Sequence, residues 1–235
     1  MQHSRFITFE GGEGAGKSTQ ARLLAEALTD LGLPVLRTRE PGGAPGAEEL
    51  RTLLLSGRFP WSVPAETLLH FAARAEHVEQ TIRPTLAVGT WVVCDRFTDS
   101  TMAYQGYGQG ADRAMIETLT GLIGLQPDVT IVLDVSDTVA LARMRTRGGA
   151  ADRYEQLDTA FHARVNEGFR EIARAEPRRC ALVPADGTEA AVHAAVMQAL
   201  WQRVASPTHL GPHADGAHAH GAHVYGTHAH GVSTG

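Results

Sequence analysis

One lysine, one asparagine and two cysteines are all that 235 residues hold of those three types. Each scarcity excludes something. A guanine-reading Asn-Lys-x-Asp motif cannot be written when the only asparagine is Asn166 and the only lysine is Lys17. Cys94 and Cys180 lie in separate apolar, strand-like runs, which suits two buried thiols rather than a disulfide. No stretch approaches the ~18 apolar residues of a membrane-spanning helix, and the first residues lack the apolar region of an export signal. The expectation is a cytoplasmic protein with no membrane partner. Positive charge is short as well: 21 Lys and Arg against 26 Asp and Glu give a formal net charge of −5. That balance argues against a general nucleic-acid binder, which needs a broad excess of positive charge to neutralise a phosphate backbone.

What is present gathers around the one lysine. Gly11-Gly12-Glu13-Gly14-Ala15-Gly16-Lys17-Ser18, followed by Thr19, has the G-x-x-x-x-G-K-[ST] spacing of a phosphate-binding loop. Glycines let backbone N–H groups curl around phosphate oxygens, and the lysine reaches the β/γ-phosphates as a point charge. All twenty remaining strongly basic residues are arginine, so the ammonium is kept where a forked guanidinium would not fit. Ser18 can place its hydroxyl on a bound Mg²⁺. Residues 5–10 read as a buried strand. Ala21, Leu24, Ala25, Leu28 and Leu31 form a helical stripe ending at Gly32. Both flanks suit the motif, and a nucleoside triphosphate is the expected ligand.

Further strand-like runs cover 34–39, 91–94, 129–133 and 180–183. Helical patterns cover 47–56, 65–88, 111–123, 137–145, 158–175 and 188–204. Such alternation predicts an α/β fold, a five-stranded parallel sheet with helices on both faces. Ligands of these sheets bind beyond the carboxyl ends of the strands. There the second strand delivers Arg39-Glu40-Pro41-Gly42-Gly43 and the third Asp95-Arg96-Phe97. Two guanidiniums aimed at one crevice suit a second phosphate opposite the triphosphate, unless one of them is neutralised by Glu40 or Asp95. Asp95 occupies the place of a carboxylate that assists Mg²⁺.

With these residues the chain resembles bacterial thymidylate kinases, from about residue 6 to residue 203. The resemblance rests on the phosphate loop with a carboxylate inside it, Thr38-Arg39-Glu40-Pro41-Gly42-Gly43, Phe71-Ala72-Ala73-Arg74, Asp95-Arg96-Phe97 with Ala103-Tyr104-Gln105-Gly106, and Asp152-Arg153-Tyr154-Glu155-Gln156. It implies a P-loop kinase fold and transfer of the γ-phosphoryl of ATP to dTMP, with Mg²⁺ held by Ser18 and Asp95. It also implies a homodimer formed through sheet-covering helices. Residue by residue, it places Glu13 on the dTMP 3′-hydroxyl, Arg39 and Arg96 on the acceptor phosphate, and Arg51 near the acceptor nucleotide. Arg74 falls on the thymine ring, with Ser100, Thr101, Tyr104 and Gln105 completing the pocket; Ser100 and Thr101 could equally cap a helix. The stacking position usually held by phenylalanine is His70 here, so either His70 or Phe71 stacks on thymine. Glu40 either tunes Arg39 or orients water near the metal.

The phosphate loop lacks the arginine that some members of the family carry. The resemblance therefore turns to a short mobile lid over about 143–156, where Arg143, Arg145, Arg147 and Arg153 are candidates. Arg153 matches the family position for stabilising the transferring phosphoryl, while Arg143 and Arg145 read as a basic helix end complementing its own dipole. The kinase domain is expected to span 1–204. Residues 205–235 form a tail rich in Gly, Ala and His that carries seven of the twelve histidines. Its composition predicts disorder and weak, unselective transition-metal binding. Two competing readings are a deoxynucleoside kinase, which would not need two acceptor-phosphate arginines, and a nickel-insertion GTPase, which the missing guanine motif removes.

Overall fold

The computed structural model describes residues 4–147, 153–154 and 156–204. Five strands form one sheet: β1 (Phe6–Glu10), β2 (Val35–Arg39), β3 (Trp91–Asp95), β4 (Val129–Asp134) and β5 (Cys180–Pro184). Their order is β2-β3-β1-β4-β5, and every neighbouring pair is parallel. Each strand lies within one residue of its expected ends. The chain moves outward to one side of β1 and later returns to the other, so the sheet's switch point is the carboxyl end of β1. The phosphate loop leaves the sheet there.

Nine α-helices are described: α1 (Lys17–Asp30), α2 (Pro45–Leu55), α3 (Val63–His77), α4 (Arg83–Ala87), α5 (Thr98–Thr101), α6 (Arg113–Ile123), α7 (Asp137–Arg147), α8 (Thr159–Ala175) and α9 (Glu189–Val204). The apolar stripe of α1 buries Ala21, Leu24 and Leu28 with Ile7, Phe9 and Ile131 of the sheet and Val196 and Leu200 of α9. Phe6, Val92 and Cys94 belong to another cluster with Val78, Ile82 and Phe97. A third joins Val132 to Tyr104, Phe161, Val165 and Phe169. β1 is buried along its whole length, as covering both faces of a parallel sheet requires. Cys94 and Cys180 are buried free thiols. Among the described residues no helix is long and apolar enough to cross a membrane.

Two departures from the expected elements matter for the site. The single helix expected over 65–88 is α3 and α4 joined by a π turn, Val78–Ile82, in which the Arg83 N–H reaches back to the Val78 carbonyl. Pro84 follows at once; it has no N–H to donate and its ring crowds the preceding turn, so the wider loop absorbs it. Between 95 and 111 the sequence offered only a helix that Ser100 or Thr101 could cap, and there α5 runs into a second π turn, Met102–Gly108. The glycines that weaken a helical pattern here are used for close approach. A Cβ on Gly108 would come within 2.5 Å of the Phe161 ring. Of the expected lid, residues 148–152 and Glu155 lie outside the described residues, as does the side chain of Arg147; so does the tail over 205–235.

Candidate active site

The phosphate loop turns through Gly11, Gly14 and Gly16, at φ 135°, 71° and 92°. An L side chain rarely adopts these angles. Lys17 opens α1 and is buried, its Nζ donating to the Gly12 carbonyl at 2.6 Å. Burial first, and the Arg96 charge second, pull its pKa from 10.5 down to about 8. The Ser18 hydroxyl donates to the Asp95 carboxylate. A hydroxyl and one carboxylate beside a phosphate cradle fit Mg²⁺, which keeps waters and draws its other ligands from substrate phosphates. Among the described residues no group of three or more His, Cys, Asp or Glu could hold a metal ion.

Arg96 is the only non-glycine residue described with positive φ, at 72°. That conformation costs of order 1–3 kcal/mol and is held by a dense set of bonds. Its guanidinium donates to the Gly11 carbonyl at 3.1 Å, to Ser100 Oγ at 3.1 Å, to Tyr104 OH at 3.0 Å and to Glu13 at 2.6 Å. The Tyr104 hydroxyl also donates to Glu13, and its ring lies 4.8 Å beneath the guanidinium. Glu10, at the end of β1, accepts from the Phe97 N–H and the Ser100 hydroxyl. Ser100 and Thr101 are thus spent on Glu10, Arg96 and Arg74 rather than on capping α5, which has no side-chain cap. Arg39 sits at the mouth of the crevice, half-exposed and paired with both oxygens of Glu48 at 3.1 Å. Arg51 donates to the Pro41 carbonyl at 2.7 Å. Arg39, Arg51 and Arg96 line the same crevice of about 660 Å³ as Gly14 to Thr19. Glu40 and Asp95, the carboxylates expected to compete for Arg39 and Arg96, form no ion pair with either.

Glu40 bonds to Arg74 and His77 and not to Arg39, which it was expected to tune as one of two alternatives. One of its oxygens accepts from Arg74 Nε at 2.8 Å and the other meets His77 Nδ1 at 2.9 Å. His77 Nε2 continues to Thr38. Arg74 donates further to the Phe97 carbonyl and Thr101 Oγ1, while its Nη1 is buried without a partner. His70 lines the crevice. Phe71 instead lies against the Arg74 guanidinium, 4.8 Å from ring centre, and is 4% exposed. Burial first, then the charges of Arg74, Arg96 and Arg153, hold the His70 imidazole down to about 3, hence neutral.

The expected lid arginines separate. Arg143 reaches the phosphate loop, with Nη1 3.5 Å from the Gly14 carbonyl and Nη2 3.0 Å from that of Gly187, so it is more than a dipole complement. Arg145 is exposed. Arg153 pairs at 2.6 Å with Glu66, a fully buried carboxylate on α3. Glu66, His77 and Glu10 were not foreseen as site residues. A lone carboxylate or imidazole inside a helix or at a strand end has no local signature, and only the fold reveals what it faces.

A phosphate loop at the switch point, a carboxylate–hydroxyl pair fit for Mg²⁺ and a crevice of arginines opposite define a P-loop phosphotransferase with room for a phosphorylated acceptor. Residues 9–196 match the family profile for thymidylate kinase. Thymidylate kinase of Gluconobacter oxydans is 55% identical over 199 residues, 83% of this chain and 93% of that protein. That of Caulobacter vibrioides is 50% identical over 207 residues, 87% of this chain and 99% of that protein. The crystal structure of thymidylate kinase from Ehrlichia chaffeensis matches with a TM-score of 0.70 at 38% identity, covering 84% of this chain and 98% of that one. The chain belongs to the thymidylate kinase family.

Proposed function

We propose that this crevice transfers the γ-phosphoryl of ATP to dTMP, giving ADP and dTDP for dTTP synthesis, with the following division of roles. Gly11 to Thr19 cradle the ATP phosphates, and Lys17 supplies the point charge on the β/γ oxygens. Ser18 and Asp95 would hold Mg²⁺, whose chemistry is to neutralise charge on the β- and γ-phosphate oxygens. Arg96 and Arg39 bind the acceptor phosphate with Arg51 nearby, Glu13 takes the sugar 3′-hydroxyl, and Tyr104 fixes both Glu13 and Arg96. Arg74, Thr101 and Gln105 read the base, and His70 lies along its face. Arg153 serves the transferring phosphoryl from the lid. The rate gain then comes from positioning and electrostatics, with no covalent intermediate on the protein.

The observation that carries the acceptor assignment is the unpartnered Nη1 of Arg74. It is a buried donor, on a side chain that lines the crevice, waiting for a carbonyl. A coupled ADP-release assay tests the reading. dTMP should be the best acceptor, dUMP weaker for want of the 5-methyl contact, and dCMP, AMP, GMP and thymidine very poor. A higher kcat/KM with AMP or dCMP would sink it, and a preference for thymidine would move the chain to nucleoside phosphorylation.

The homodimer is part of the same proposal, supported by the family and by apolar side chains such as Leu68 of α3 and Leu122 of α6, 51% and 77% exposed. Sedimentation of the full chain at micromolar concentration tests it. The histidines between 209 and 230 are proposed to bind Ni²⁺, Zn²⁺ or Cu²⁺ weakly, without a part in catalysis. Truncation after Ala205 should abolish most retention on nickel resin and leave kcat unchanged.

A further inference from the structure

Glu66 lies outside every role assigned so far, yet it is the most heavily bonded carboxylate near the base end of the crevice. It is fully buried on α3. One oxygen accepts from Gln105 Nε2 at 2.9 Å, Gln109 Nε2 at 2.9 Å and the Tyr154 hydroxyl at 2.8 Å, and the other pairs with Arg153. A carboxylate that is ion-paired can only accept. The Gln105 amide must therefore turn its nitrogen toward Glu66.

The consequences pass along the bonds. The second hydrogen of Gln105 Nε2 goes to the Tyr154 oxygen at 3.2 Å. Both donors are then used, and the polar atom left on this crevice-lining side chain is the carbonyl oxygen. Tyr154 spends its one proton on Glu66, so the 2.9 Å contact with His70 Nε2 must be a donation from the imidazole. That fixes the tautomer of a neutral His70 and leaves Nδ1 as an acceptor.

We propose that Glu66 is a specificity-determining positioning residue: by fixing the Gln105 amide, it makes the crevice present an acceptor beside the Arg74 donor. The proposal rests on the reading of dTMP as acceptor given above. A donor next to an acceptor matches thymine, whose O4 accepts and whose N3–H donates. Cytosine carries the reverse order, an exocyclic amine donor beside an N3 acceptor. Reversed pairs leave buried groups unpartnered, and that rejects a ligand far more strongly than shape does.

The test compares kcat/KM for dTMP and dCMP in the full-length enzyme. Glu66→Gln can donate as well as accept, which lets the Gln105 amide turn over. The dTMP-to-dCMP ratio should fall by about tenfold or more. Any effect of releasing Arg153 acts on both substrates alike and cancels in the ratio, whereas ATP KM should stay put. In a Gln105→Leu background the ratio is already lowered, and adding Glu66→Gln should lower it no further. If Glu66→Gln does not fold, Glu66→Asp retains the charge opposite Arg153 but withdraws from Gln105, and it should narrow the ratio in the same Gln105-dependent way. A parallel loss for both substrates, or an effect of Glu66 that persists without Gln105, overturns the proposal. A wild-type enzyme with no preference for dTMP over dCMP overturns the acceptor reading instead.

Discussion

Glu40 and Arg74 meet at 2.8 Å with each side chain only 3% exposed, and neither faces its nearest chain neighbours: β2's end supplies one and α3 the other. Removing one member of such a pair leaves the other charged and buried. Glu40→Ala should destabilise the protein by about 3–5 kcal/mol and raise dTMP KM by an order of magnitude or more, since Arg74 loses what aims it. Urea unfolding and steady-state kinetics check both. An unchanged unfolding midpoint would mean that solvent reaches Arg74 and compensates the lost carboxylate.

Arg96→Ala should weaken ATP as well as dTMP. Its guanidinium holds the Gly11 carbonyl and Glu13 inside the phosphate loop while lining the crevice. Titrating each nucleotide separately into the variant decides the matter. Normal ATP affinity, with only dTMP lost, would confine Arg96 to the acceptor phosphate.

Arg143 and Arg153 should fail differently. Arg143 already touches the phosphate loop, so Arg143→Ala is expected to raise ATP KM severalfold, the mark of a contact present in the ground state. Arg153 rests on Glu66 rather than on the loop. Any service it gives the transferring phosphoryl belongs to the transition state, and Arg153→Ala should lower kcat by orders of magnitude with modest KM changes. Equal kcat for wild type and Arg153→Ala would take the role from Arg153 and leave it to another lid arginine.

Glu10 makes stability depend on pH. Burial first, and the Asp99 carboxylate second, raise its pKa from 4.5 to about 7. Between those values the unfolded chain has released a proton that the folded protein still binds. This group therefore makes stability fall as pH climbs from about 4.5 to 7. Glu10→Gln should flatten that decline, read as urea midpoints at pH 5 and pH 8. Identical slopes in the two proteins would show that another group sets the trend.

Four of the strands were legible because each is a short, largely apolar run, β2 (Val35–Arg39) because its Val-Leu-Arg-Thr-Arg run follows the helical stripe and Gly32, and the phosphate loop because its spacing is itself the chemistry. Arg39, Arg96 and Asp95 followed from their positions at strand ends. The π turn carrying Tyr104 and Gln105 was not legible, since glycines at 106 and 108 lower helix propensity, and the close approach of Gly106 to α6 and of Gly108 to α8 exists only once those helices are in place. Glu40 teaches the same lesson. Beside Arg39 in sequence, it accepts instead from Arg74, 34 residues further on. Chain adjacency predicts which element bears a charge, not which partner that charge meets.

Lys17 carries the only ε-amino group in the chain, sits 7% exposed at the crevice and is half deprotonated near pH 8. Amine-directed reagents therefore have one side chain to find, and it is a nucleophile under mild alkaline conditions. Acylation at that nitrogen becomes an occupancy meter for the nucleotide if, as proposed, a bound triphosphate covers it. The same economy is a hazard at the bench: coupling the protein to a surface through lysine chemistry attaches it by its own active site.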